Sequence, residues 1–263
     1  MKRDAPKSKP MTRSTSPVAV LAAAMLAGLV TAFSALPVQA EAIKAQPRAV
    51  AELFTSQGCS SCPPADAVLK TIGGREDVLA LAYHVDYWDY IGWADTFGSE
   101  RYSDLQRGYA RSFEEHRIYT PQLVVNGQDH VIGSRGAEVN AQIRGASLDV
   151  PVGLSVHEGI LDISVPGDAG HADEREVMVW LIPYRQQAEV AVERGENRGK
   201  TLTYTHIVTG RTPLGMWDAD KGATMRLPLA DILMDEADGV AVLVQCEKGG
   251  LPGEVIGAAA IEF

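Results

Sequence analysis

The sequence predicts an α/β domain followed by a mostly-β, sandwich-like domain. Three observations carry that expectation. Residues 48–145 alternate short apolar runs with segments of helical spacing. After Asp149 the helical spacing gives way to short runs of β-prone residues separated by turn signals. A cysteine pair, Cys59-Ser60-Ser61-Cys62, falls between an apolar run and a helix-like stretch, in the order strand, loop, cysteines, helix.

Residues 1–40 read as a signal peptide. Lys2, Arg3, Lys7, Lys9 and Arg13 make a basic start, Val18 to Phe33 is almost wholly apolar, and Val38-Gln39-Ala40 places small residues where a signal peptidase reads. The apolar run is short against the ~20 residues of a spanning helix. Cleavage after Ala40, a periplasmic or secreted location and no stable membrane insertion after cleavage are therefore expected. The chain carries a net charge of −10, and the leader holds an excess of basic residues, so the remainder is more acidic still. Phosphate repels such a chain, which argues against nucleic acid as a partner.

The first domain is expected over residues 41–149. Ala49–Thr55 is an apolar strand. Ala65, Val68, Leu69 and Ile72 share one helical face, and Gly73-Gly74 ends that helix. Val78–Val85 is an uninterrupted apolar strand apart from the polar atoms of Tyr83 and His84, as a sheet covered on both faces requires. Residues 97–117 are polar, with Tyr102, Leu105, Tyr109 and Phe113 spaced for an amphipathic helix. Leu123–Val125, Asn126-Gly127 and His130–Ile132 read as a hairpin with its turn at Asn-Gly. Glu138–Ala146 is expected to close the domain as a helix.

The second domain is expected over residues 150–263, with the boundary near Asp149-Val150-Pro151. Its strands are predicted at 152–157, 160–165, 177–183, 189–192, 202–208, 224–229, 240–245 and 255–262. Cys246 sits in one of these runs, where a third cysteine packs as a buried, inert thiol.

The residues around Cys59 and Cys62 choose between three chemistries. Pro63-Pro64 suit the first turn of a helix, which places Cys62 at or beside its cap. A helix N-terminus gathers unpaired amides and partial positive charge, which stabilise a thiolate. That favours redox use. A purely structural disulfide in a binding protein is one alternative, although so small a loop yields modest entropic stabilisation. Copper or zinc held by the pair with His84, His116 or His130 is the other, His84 with Asp86 being the best-placed histidine. No metal ligand set is assigned and no cofactor is expected. The aromatic stretch Asp86–Trp93, with Trp88 at its centre, follows the C-terminal end of a strand, where a substrate groove commonly lies, a loop whose rings cap the core being the equal alternative.

Glu52-Leu53-Phe54 leading into Cys59-Ser60-Ser61-Cys62, then Thr120-Pro121 and Asn126-Gly127, resembles the thioredoxin superfamily over about residues 48–145. The stretches His84–Trp93 and Glu196–Leu202 resemble, more narrowly, an uncharacterised family of secreted bacterial thioredoxin-like proteins with a C-terminal β domain. The resemblance implies a thioredoxin-like fold for the first domain. It implies that Cys59 attacks and Cys62 resolves the mixed disulfide, and that Glu52 is the buried acid that accepts the Cys62 proton. It further implies that Pro121 follows a cis bond and that Thr120 contacts substrate. Gly58 and Ser60-Ser61 depart from the superfamily's usual residues at those positions. The function expected is that of an exported thiol-disulfide oxidoreductase or redox-relay protein acting on thiol- or disulfide-containing proteins.

Overall fold

The computed structural model describes residues 41–44, 46–168, 170 and 176–263. The predicted signal peptide lies outside the described residues. Among the described residues thirteen strands and four helices follow one another. They are β1 (Glu41–Lys44), β2 (Ala49–Thr55), α1 (Pro63–Gly73), β3 (Val78–His84), α2 (Glu100–Ser112), β4 (Gln122–Val125), β5 (Asp129–Ile132) and α3 (Gly136–Gly145). Then come β6 (Gly153–His157), β7 (Ile160–Val165), β8 (Val177–Ala191), β9 (Thr201–Val208), β10 (Thr212–Met216), β11 (Ala223–Pro228), α4 (Leu229–Ile232), β12 (Gly239–Lys248) and β13 (Leu251–Glu262).

The centre of the main sheet is made by strands whose every residue is apolar enough, or well enough bonded, to be buried. All seven residues of β2 and all seven of β3 are buried. Such a strand needs a partner on each side as well as cover on each face. β2 supplies one neighbour for β3, in parallel register from Ala49↔Val78 to Thr55↔His84. The other neighbour is β9, joined to β3 in parallel at Ala82↔Ile207. On its far side β2 pairs with β4 antiparallel, and β4 with β5. Among the described residues the sheet has ten strands in the order β1-β13-β12-β8-β9-β3-β2-β4-β5, with β10 paired to β8.

This corrects the expected fold class. The protein is mostly β, built on one large mixed sheet, and residues 41–149 do not make a separate thioredoxin-like α/β domain ahead of a sandwich. The local alternation of strand and helix is legible in the chain, but the partner on the outer edge of β3 comes from more than 100 residues downstream. The unbroken apolar character of 78–85 was the sign that this strand is central.

Alternation along β2 assigns the two faces. Ala49, Ala51 and Leu53 pack with Leu69 and Ile72 of α1 and Val139 and Ile143 of α3. Val50 and Phe54 face the other way, against Tyr109 of α2, Tyr184 of β8 and Val255 of β13. Full burial of each of these larger aliphatic side chains contributes roughly 1.5–3 kcal/mol. A second, three-stranded sheet, β11-β7-β6, lays Leu161, Ile163 and Val165 against Val179, Val240, Val242 and Val244 of the main sheet. The expected strands at 177–183 and 189–192 are a single strand, β8.

The turn at Asn126-Gly127 ties the two halves of the chain together. Both residues have positive φ, the conformation that Asn and Gly adopt most readily. A Cβ on Gly127 would stand 2.0 Å from the carbonyl oxygen of Gly253, so only glycine admits β13 so closely. Asn126 accepts from the Val50 amide through Oδ1 (2.7 Å) and donates from Nδ2 to the Ser147 carbonyl (2.9 Å), while its own carbonyl accepts from the Val255 amide (2.8 Å).

Candidate functional site

The cysteines lie where β2 hands over to α1. The loop tightens in two steps, the Cys59 amide bonding the Ser56 carbonyl (3.1 Å) and the Cys62 amide bonding the Cys59 carbonyl (3.2 Å). Cys62 occupies the N-cap position of α1 without a side-chain capping bond, and Pro63 and Pro64 open its first turn. Cys59 and Cys62 form a disulfide, with Cα atoms 5.4 Å apart. Both are buried, at 1% and 0% exposure, while Ser60 and Ser61 between them face solvent.

Thr120, Pro121 and Trp88 converge beside this loop. The Thr120–Pro121 peptide is cis. The β2–β4 register pairs Phe54 with Gln122, which sets Pro121 and Thr120 at the end of β2 where the cysteine loop begins. Trp88 Nε1 donates to Thr120 Oγ1 (2.8 Å). A Cβ on Gly58 would meet Trp88 Cβ at 3.0 Å, so the glycine before Cys59 is what lets the tryptophan pack against the loop. A single 3-10 turn at Asp89–Ile91 carries Tyr90, which is 81% exposed.

Glu52 is fully buried but lies on the α2 side of the sheet, opposite α1. Its Oε2 accepts from the Tyr109 hydroxyl, which in turn accepts from Gln245 Nε2, and Gln245 Oε1 accepts from Arg211. Burial pushes the Glu52 carboxyl up, against the lowering influence of Arg211 and of the Tyr109 hydroxyl. The structure therefore gathers Glu52 with Tyr109, Gln245 and Arg211, and gathers Trp88, Thr120 and Pro121 with the cysteine loop.

A different carboxyl sits on the cysteine side. Asp66 is in the first turn of α1 and 8% exposed. Thr55 Oγ1 donates to Asp66 Oδ1 (2.8 Å). Burial pushes the Asp66 carboxyl up to about 7, outweighing the lowering influence of His84 and Thr55, with Asp95 adding to the rise. His84, at the end of β3, and Asp95 are a wholly buried pair, with Nδ1 2.9 Å from Oδ2. Burial works to lower the His84 value, but the charge and hydrogen bond of Asp95, helped by Asp66, prevail and raise it. Burial likewise works to raise the Asp95 value, but His84 and the amides of Gln57 and Phe97 hold it down. The same Asp95 Oδ2 accepts from the Gln57 amide (2.7 Å), two residues before Cys59.

The loop is also held from the C-terminal half. Asn197, fully buried, donates from Nδ2 to the carbonyls of Gln57 (3.0 Å) and Cys59 (2.9 Å), and its Oδ1 accepts from Lys200 Nζ (2.8 Å). Glu196 accepts from the Ser60 amide (3.3 Å). Trp93 Nε1 donates to Gln57 Oε1 (2.9 Å). Sequence reasoning missed Asp66, Asp95 and Asn197 as site residues. Asp66 had a signal, an acid four residues after Cys62 on a helix whose apolar face it interrupts. Asp95 and Asn197 had none local to the cysteines.

The histidines considered for a metal are engaged or elsewhere. His84 is committed to Asp95, His130 Nδ1 pairs with the Tyr119 hydroxyl (2.9 Å), and His116 is exposed. Among the described residues, no group of three or more His, Cys, Asp or Glu side chains is placed to hold a metal ion. Cys246 is buried in β12 with Val177 and Val244. Among the described residues no helix is long and apolar enough to cross a membrane.

Fold and site together define a mostly-β protein whose large mixed sheet carries a Cys-x-x-Cys disulfide at the head of a helix. The chain belongs to the family described as a protein of unknown function (DUF1223), which matches residues 50–245. It is similar to the crystal structure of a protein from Agrobacterium tumefaciens, at 32% identity and a TM-score of 0.73, over 82% of this chain and 95% of that one. It shares a fold with HBP35 of Porphyromonas gingivalis, at 14% identity and a TM-score of 0.57, over 84% of this chain and 76% of that one. No curated protein matches the chain.

Proposed function

We propose that this protein is an exported thiol-disulfide oxidoreductase or redox-relay protein working through Cys59 and Cys62. The observation that carries the reading is the disulfide at the head of α1 with a protonatable carboxyl, Asp66, one turn further along the same helix. The partial positive charge at the start of α1 favours a thiolate at Cys62, which sits at its N-cap position. The sequence resemblance of Cys59–Cys62 and Thr120-Pro121 to thioredoxin motifs supports the reaction type. Partners are proteins that carry thiols or disulfides, met beside Trp88, Thr120 and Pro121. The basic-then-apolar leader supports export to an oxidising compartment, where such a pair can act and persist.

In the oxidising direction a partner thiolate attacks the Cys59 sulfur. The Cys59–Cys62 bond breaks, and its electron pair leaves on the Cys62 sulfur. A second partner thiolate then attacks the partner's own sulfur in the mixed disulfide and releases Cys59. The partner loses two electrons and gains a disulfide, and the pair gains both. The reducing direction is the reverse.

Reduction of insulin disulfides with dithiothreitol as electron source tests the reading. Cys59→Ser abolishes turnover, and Cys62→Ser accumulates mixed disulfides with partner proteins. Turnover at the wild-type rate in both variants would sink it. Burial of both sulfurs favours a second reading, a structural disulfide in a binding protein. That reading requires a pair that captures no partner under the same conditions.

A further inference from the structure

We infer that Asp66, backed by Thr55 and by the buried His84–Asp95 pair, is the group that exchanges a proton with the Cys62 sulfur. The inference rests on the thiol–disulfide reading above and specifies how its proton is handled.

The first turn of α1 leaves Cys62 short of backbone donors. Pro63 and Pro64 carry no amide hydrogen. The next two amides, of Ala65 and Asp66, are already bonded to the Cys62 carbonyl at 2.8 and 3.1 Å, and the Cys62 amide is bonded to Cys59. A backbone amide can stabilise a thiolate but not protonate it, and Cys62 is fully buried, so the proton is assigned to an ionisable side chain. Cys62 itself has helical φ and ψ, so residue 66 lies on the same helical face one turn on, where side chains at i and i+4 are neighbours. Glu52 is directed across the sheet toward Tyr109.

Around Asp66 the interior is arranged for a proton rather than for packing alone. Thr55, from β2, donates to one of its oxygens. His84, from β3, is fully buried, and its Nε2 has no hydrogen-bond partner among the described residues. Asp95, from the loop after β3, holds His84 Nδ1. Tyr204, from β9, meets the His84 ring edge to face at 4.7 Å, and Asp89, whose Oδ1 accepts from the Asp95 amide (3.0 Å), is a further titratable group facing the cluster. His84 and Asp66 influence each other's charge, and Asp66 titrates near neutrality, so it serves as either acid or base at neutral pH.

When the disulfide opens, its electron pair goes to the Cys62 sulfur. Neutral Asp66 protonates that sulfur and becomes a carboxylate, which solvent later reprotonates. In the reverse direction the Asp66 carboxylate takes the Cys62 thiol proton. The resulting thiolate attacks Cys59 in the mixed disulfide, and the partner leaves as thiolate. The partner's dithiol or disulfide is the only redox reactant.

The test uses the reduced, full-length mature chain and the aromatic disulfide 5,5′-dithiobis(2-nitrobenzoate). Attack by Cys59 releases one thionitrobenzoate, and closure by Cys62 releases a second. In the wild type the second phase accelerates with pH through an inflection near neutrality. Asp66→Asn slows that phase about 10²-fold at pH 7 and moves the inflection toward the ordinary thiol value, about 8.5. His84→Gln removes the charge that favours the Asp66 carboxylate, and moves the inflection up by a smaller amount. A second phase of wild-type rate and inflection in Asp66→Asn overturns the inference. Unchanged release from Cys59→Ser instead defeats the redox reading beneath it. For a measurement that needs no variant, the Asp66 carboxyl carbon followed by NMR must titrate at different pH in the oxidised and reduced wild type. An identical midpoint in both overturns the inference.

Discussion

Asp66 costs the fold something at high pH, and the sign can be worked out. Its carboxyl is pushed up to about 7 by burial, against about 3.9 in an unfolded chain. Between about pH 4 and pH 7 the native protein therefore keeps a proton that the unfolded chain has lost, and stability falls as pH rises through that window. The loss is on the order of 4 kcal/mol. His84 acts with the same sign. Its value is raised, so its contribution is complete below about 6.5 and lost as pH rises through the folded value. Asp95, held low, contributes above about 3.9 and loses that contribution in acid. Asp66→Asn removes the first term, so its urea midpoint gains on the wild type as pH goes from 4 to 8. Parallel midpoints over that range would contradict the burial of a titrating Asp66. The cysteines and the helix start at Pro63 were readable because they are adjacent in the chain. Glu52, which the family resemblance implies as the proton acceptor, faces Tyr109 on the α2 side of the sheet. Its neighbours Val50 and Phe54, which pack toward α2, decide which face it takes.

At the scale of elements, the loop before Cys59 is clamped from two directions. The segment 84–97 reaches it through Asp95, Trp93 and Trp88, and the segment after β8 reaches it through Asn197 and Glu196. Asn197 makes two hydrogen bonds to carbonyls of the loop with one nitrogen, both hydrogens being used. Asn197→Ala removes both from a buried setting and is expected to cost about 1–3 kcal/mol, read as a lower urea midpoint with the disulfide intact. A midpoint within error of the wild type would show that the clamp holds nothing. The strands and helices of residues 49–145 were largely legible from periodicity, as was the Asn126-Gly127 turn. The clamp was not, because Asn197 meets Cys59 across 138 residues of sequence and no local pattern marks such a contact.

Among the described residues one ten-stranded sheet joins strands from both halves of the chain. β3 meets β9, the α2 face of β2 is covered with help from β8 and β13, and the Asn126-Gly127 turn is locked against β13. The C-terminal half thus completes the core under the cysteines and supplies Asn197 to their loop. The sequence suggested a boundary near Asp149 because the texture of the chain changes there, and a change of texture carries no information about which strands pair. A working disulfide set in this frame must be reducible by partner thiols, and a structural one must resist them. The decisive measurement is the reduction potential of the Cys59–Cys62 pair in the intact mature protein, equilibrated against dithiothreitol or glutathione buffers. Thiol–disulfide exchange requires a potential above about −300 mV. A potential below about −300 mV would mark an inert structural bond and contradict the account.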